Sequence, residues 1–174
     1  MKKTIIASTM MMLSASVFAA GSAGQGVVNF TGAIIDSPCS ISPESMDQTI
    51  NMGLISNDLL ERQGETPLLP FNIHLESCST ETAKAATIIF SGISDGVDKK
   101  HLAISGTGKG AAIALVNKQD NSEIELGTKT KAISLVEGDN VLQFAAKLVS
   151  NLKAEEKATA GEFTATTNFT ISYE

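Results

Sequence analysis

Tryptophan is absent from this chain, and histidine occurs only twice. A glycan-binding face would often present an exposed Trp, so its absence counts against a lectin. His74 falls on the polar side of an alternating run, and His101 follows Lys99 and Lys100 in a turn. Neither stands near a nucleophile motif such as Gly-x-Ser-x-Gly, and no catalytic or metal-ligating constellation assembles around them. Basic residues are also few: 13 Lys and Arg against 19 Asp and Glu leave a formal charge of −6. That balance argues against a nucleic-acid partner, because nothing would neutralise the phosphates. No apolar run is long enough for a transmembrane helix. The Gly106-x-Gly108-x-Gly110 stretch lacks the spacing of a dinucleotide-binding turn and no helix is expected after it, so it reads as a loop and implies no cofactor.

The front of the chain sets the compartment. Residues 1–19 read as a signal peptide: Lys2 and Lys3 supply the positive start, Ile5 to Leu13 is largely apolar, and Val17-Phe18-Ala19 offers small residues for cleavage. Removing 19 of 174 residues leaves 155, and losing Lys2 and Lys3 takes the formal charge from −6 to −8. A chain of that size suits one domain. Cys39 and Cys78 are the only cysteines, so one intramolecular pairing is available. A bridge there would close a loop of about 39 residues and stabilise by about 4 kcal/mol on the chain-entropy model. The alternative is a redox or metal-binding pair, but there is no Cys-x-x-Cys, and only His74 lies near either cysteine.

The body reads as all-β. Leu68 to Glu76 alternates, with Phe71, Ile73 and Leu75 opposed to Asn72, His74 and Glu76. Further strand-like runs are Gln48 to Ile55, Ala85 to Phe90, Ala111 to Val116, Ile124 to Leu126, Ala132 to Val136 and Asn140 to Val149. Turn residues separate them, most clearly Gly138-Asp139-Asn140. Ser56 to Leu60 looks like one capped helical turn, and Asn151 to Ala158 like a charged loop. From Gly161 a last strand is expected to run to the C-terminus. Phe163, Ala165, Thr167, Phe169, Ile171 and Tyr173 share one of its faces, and Thr164, Thr166, Asn168, Thr170 and Ser172 the other.

Two features stand apart. Residues 20–35 form an arm without a charged residue, in which Gly26, Val28, Phe30, Gly32 and Ile34 fall on alternate positions. An arm meant for water should be polar or charged. At the other end, the last strand has no successor to cover its edge, which is a liability in isolation. The arm is either this chain's own first strand or a strand given to a neighbour by β-strand addition.

These residues resemble the chaperone–usher fimbrial subunits of Gram-negative bacteria, most nearly the major pilins of P-type fimbriae. The resemblance rests on the alternating Gly26 to Ile34, on Asp36-Ser37-Pro38-Cys39-Ser40-Ile41, on Cys78, and on the alternating Phe163 to Tyr173. It covers essentially the whole mature chain and implies an incomplete immunoglobulin-like β-sandwich lacking its last strand. It divides the chain into a signal peptide (1–19), a donor-strand extension (20–35) and a pilin domain (36–174). It implies a structural, non-enzymatic subunit that passes through the periplasm to the cell surface and polymerises by donor-strand exchange into an adhesive fimbrial rod. Its partners would be copies of itself and other pilus subunits, a periplasmic chaperone that contacts the final strand and Glu174, and an outer-membrane usher. Donor side chains would be Gly26, Val28, Phe30, Gly32 and Ile34. Phe163, Ala165, Thr167, Phe169, Ile171 and Tyr173 would flank the acceptor groove, with the opposite wall around Ile35 to Ile41. A minor adaptor or terminator subunit would carry similar motifs, and a tip adhesin would carry an additional lectin domain.

Overall fold

The computed structural model describes residues 26–174, so the expected signal peptide lies outside the described residues. The chain divides into two units, Met1–Ile35 and Asp36–Glu174. In the first, residues 26–35 are in neither helix nor ladder, with Val27, Val28, Phe30 and Ile34 exposed.

The second unit contains eleven strands and two short helices: β1 (Ser40–Ile41), α1 (Pro43–Met46), α2 (Asn57–Gln63), β2 (Leu69–Cys78), β3 (Ala85–Gly92), β4 (Leu102–Ala103), β5 (Ser105–Gly106), β6 (Ala111–Asn117), β7 (Ser122–Ile124), β8 (Ile133–Ser134), β9 (Gly138–Ser150), β10 (Phe163–Thr164) and β11 (Thr167–Tyr173). The larger sheet runs β1-β2-β9-β6-β4, with β7 also on β6. The smaller runs β11-β3-β8, and β10 pairs separately with β5. Every ladder is antiparallel.

Alternation decides which side chains meet. On β2, Ile73 and Leu75 are fully buried while Asn72 and Glu76 face water. On β9, Leu142 and Phe144 point inward between exposed Val141 and Gln143. The smaller sheet answers with Ala86, Ile88 and Phe90, and both sheets contribute to one hydrophobic core. Phe90 packs edge-on against Phe144, with centroids 5.2 Å apart, and Phe71 stacks on Phe144 at 5.7 Å. Burying such a side chain is worth about 1.5–3 kcal/mol. This is the sandwich that the sequence led one to expect. Cys39 and Cys78 are bonded, tying the lead-in to β1 to the end of β2.

Four details differ from the sequence reading. Among the described residues Gln48 to Ile55 pairs with no strand, although its composition suits one. The glycine-rich stretch is not simply a loop: Ser105–Gly106 pairs with Phe163–Thr164. The final strand breaks at Ala165–Thr166 as it passes from β5 to β3. The single turn at Ser56 is a helix through Gln63 in which the Ser56 side chain makes no cap; Gly64 ends it in the left-handed region (φ 78°), donating its N–H to the Leu60 carbonyl at 3.1 Å.

Candidate functional site

Among the described residues the smaller sheet ends at β11, which pairs with β3 on one side only. The hydrogen bonds show which backbone groups are left over. Glu174 N–H donates to the Ala85 carbonyl at 2.8 Å, and Ala85 N–H donates to the Glu174 carbonyl at 3.0 Å. In an antiparallel ladder such closely bonded pairs recur at every second residue. The register Ser172 to Thr87, Thr170 to Ile89 and Asn168 to Ser91 therefore assigns the even-numbered residues to β3. Thr167, Phe169, Ile171 and Tyr173 turn their N–H and C=O groups to the open side. Their side chains point inward and are partly buried, while Asn168 and Thr170 are exposed.

Beside this edge lies an open cleft of about 1050 Å3. One wall is residues 161–169, so it includes Phe163, Ala165, Thr167 and Phe169. Ile171 and Tyr173, further along β11, pack on the core instead of lining the cleft. The floor is core: Phe71, Ile73, Phe90, Leu102, Ile113 and Leu115. Phe169 approaches Phe90 with centroids 6.4 Å apart, joining wall to floor. The second wall is Ile41 and residues 45–54, further along the chain than the expected 35–41.

That second wall is where sequence reading fell short. α1 begins with Pro43 at its first helical position, where a missing N–H costs nothing. Ser42 and Ser45 are buried with hydroxyl oxygens 2.9 Å apart, and Ser45 Oγ accepts the His74 N–H at 2.9 Å, clamping the turn onto β2. Beyond it, Gln48 Nε2 donates to the Asn72 carbonyl at 2.8 Å. Residues 49–54 then run along the cleft with Ile50 and Leu54 exposed and Met52 half-buried. The alternation of Ile50, Met52 and Leu54 was visible in the sequence, but not which cleft it borders.

The chemistry of the cleft is simple. Its only ionisable lining residues are Asp47 and Glu162. Burial pushes the Tyr173 phenol above its ordinary value of 10.0, with the Ser37 hydroxyl acting in the opposite direction. Among the described residues no group of three or more His, Cys, Asp or Glu could hold a metal ion. A trough with an apolar floor and no basic group, beside an unpaired strand edge, fits an extended apolar peptide, with main-chain bonds for affinity and alternate side chains for register. Among the described residues, no helix is long and apolar enough to cross a membrane.

Comparison with known proteins gives a consistent result. The family model described as "Fimbrial protein" matches residues 28–174. The Fimbria A protein of Serratia marcescens is 40% identical over 174 residues, covering 100% of this chain and 99% of the relative. The Major MR/P fimbria protein of Proteus mirabilis is 40% identical over 152 residues, covering 87% and 85%. Among solved structures, a chaperone–usher pilus studied for rod uncoiling superposes with a TM-score of 0.77 at 29% identity, covering 87% of this chain and 96% of that one. The P pilus rod subunit PapA gives a TM-score of 0.70 at 28% identity, covering 79% and 100%.

Proposed function

The chain belongs to the fimbrial protein family, and we propose that it assembles by giving its N-terminal arm to the cleft of a neighbouring copy. It is a rod-forming structural subunit of a surface fimbria, with the incomplete immunoglobulin-like fold of pilus subunits, and it polymerises with other subunits. In our reading residues 20–35 are the donor segment, residues 36–174 the pilin domain and residues 1–19 a cleaved export signal. The observation that carries the reading is a match of chemistry. Residues 20–35 carry no charge, and the cleft beside β11 has only two ionisable lining residues.

In docking, Val28, Phe30 and Ile34 enter the cleft, and each contributes about 1.5–3 kcal/mol through burial. Gly26 and Gly32 share that face and let the backbone approach closely. The open groups of Thr167, Phe169, Ile171 and Tyr173 bond to the incoming main chain, each bond contributing about 0.5–1.5 kcal/mol. Residues 48–55, which lack a ladder of their own, flank its other edge. An unpaired edge over an apolar trough would aggregate if left bare. A periplasmic chaperone therefore occupies the cleft first, holding the final strand and Glu174, until an outer-membrane usher brings the next arm. The energy is that of completing a fold, and the subunit needs no catalytic group, metal or cofactor. An open cleft is what an accepting subunit requires, and this supports an accepting role over that of a terminator whose cleft is blocked.

Electron microscopy of purified surface filaments, with heated and unheated samples on a denaturing gel, tests the reading. We expect this chain as the bulk of the filament and a ladder of multimers that collapses only on strong heating. A monomer at every temperature would refute it. Filaments holding only a trace of the chain would point to an adaptor or terminator.

A further inference from the structure

The wall formed by residues 161–164 is held from behind, and by an unusual arrangement. Phe163 pairs with Gly106 and Thr164 with Ser105. Gly108 N–H donates to the Glu162 carbonyl at 3.0 Å, and Glu162 N–H donates to Thr107 Oγ1 at 3.1 Å. Lys109 and Thr159 exchange backbone bonds of 3.1 and 2.9 Å. The two segments pack backbone against backbone because three glycines face across the seam. A Cβ on Gly106 would lie 2.2 Å from the Glu162 carbonyl oxygen, and one on Gly108 would lie 2.9 Å from the Gly161 carbonyl oxygen. A Cβ on Gly161 would lie 2.5 Å from the Gly108 nitrogen. The close atoms at Gly106 and Gly108 are main chain, which yields only by moving the wall, and at Gly161 the Thr107 hydroxyl oxygen stands nearer still than the Gly108 nitrogen. At Gly106 a φ of 142° excludes an ordinary side chain a second time.

Gly106, Thr107 and Gly108 lie outside the cleft lining, whereas Gly161, Glu162, Phe163 and Thr164 belong to it. We infer that the Gly106, Gly108 and Gly161 seam sets the width of this end of the cleft, and so determines which donor side chain a neighbouring copy can seat there. The inference rests on the donor-strand reading above. The three glycines are positioning residues: they act on the donor through Phe163 and its neighbours. A methyl group added to the seam moves the wall into or away from the cleft, and the preferred size of the donor side chain moves with it.

A double-mutant cycle on filaments of the full chain tests this. The wall variants are Gly108→Ala and, as a gentler change, Thr107→Val, which removes the hydroxyl that Glu162 N–H donates to. Each is combined with Val28→Ala, Phe30→Leu and Ile34→Val, and the rate at which filaments dissociate in detergent is read. Residues that share a site couple, whereas a purely structural lesion adds. We expect coupling of roughly two- to hundredfold in rate with at least one donor position. Additive rates for both wall variants with all three donor variants overturn the inference, while leaving the donor-strand reading intact. Donor variants that change nothing alone overturn both. If Gly108→Ala does not fold, Thr107→Val decides.

Discussion

Phe30→Ala in the arm is the most direct test of docking. The ring is 90% exposed in the free arm, so docking removes nearly all of it from water. Transfer alone is worth about 1.5–3 kcal/mol. The cleft has a floor built from Phe71, Phe90 and neighbouring core side chains, which cannot collapse to fill the space of a missing ring. A large-to-small change in such surroundings costs about 3–5 kcal/mol. At about 1.4 kcal/mol per factor of ten, dissociation between subunits should accelerate by roughly 100- to 4000-fold. Filaments of the variant, heated in detergent and run on a gel, should lose their ladder well below the wild-type temperature. Asn29→Ala and Thr31→Ala lie on the opposite face of the arm and serve as controls; they should leave the ladder almost unchanged. A variant ladder as robust as wild type would refute the docking of Phe30. If Asn29→Ala or Thr31→Ala weakened the ladder instead, the register would be shifted by one residue, which turns every side chain over.

Gly32→Arg should leave the chaperone-bound subunit intact but abolish donation, because Gly32 stands where the donor backbone approaches the cleft closely and a long side chain would hold it off; pili on cells expressing only this variant would contradict the model. Replacing both Cys39 and Cys78 by Ser opens the cross-linked loop and should cost about 4 kcal/mol, read as a lower urea midpoint of the chaperone-released subunit. Asp120 is held well below its ordinary value of 3.8 by Lys131, whose Nζ lies 2.7 Å from it, and by the Ser122 hydroxyl and N–H. A depressed carboxyl stabilises above its unfolded value, and this is lost as pH falls through the folded one. Asp120→Asn should therefore lower the melting temperature at pH 7, and the gap to wild type should close progressively below about pH 4 in a pH series of melting curves.

Much of this molecule could be read before any coordinates, where one residue's neighbours along the chain decide its environment. The alternation of Phe71, Ile73 and Leu75 on β2 marks an inner face because successive strand side chains point to opposite sides. Cys39 and Cys78 had only each other. The uncharged arm stood out because sixteen residues without a charge are costly in water. Other features depend on what lies beside a segment in space. Gln48 to Ile55 has the composition of a strand, yet among the described residues it borders the cleft unpaired. Gly106, Gly108 and Gly161 look like loop residues until the two backbones they allow to touch are brought together across more than fifty positions of sequence. The break at Ala165–Thr166 arises because one strand serves two partners, β5 and β3. Side-chain alternation is a local property of the extended chain, and so sequence by itself determined the long strands and the face each turns inward. Pairing, close approach and the open edge are relations between distant segments, and only the tertiary structure decided them.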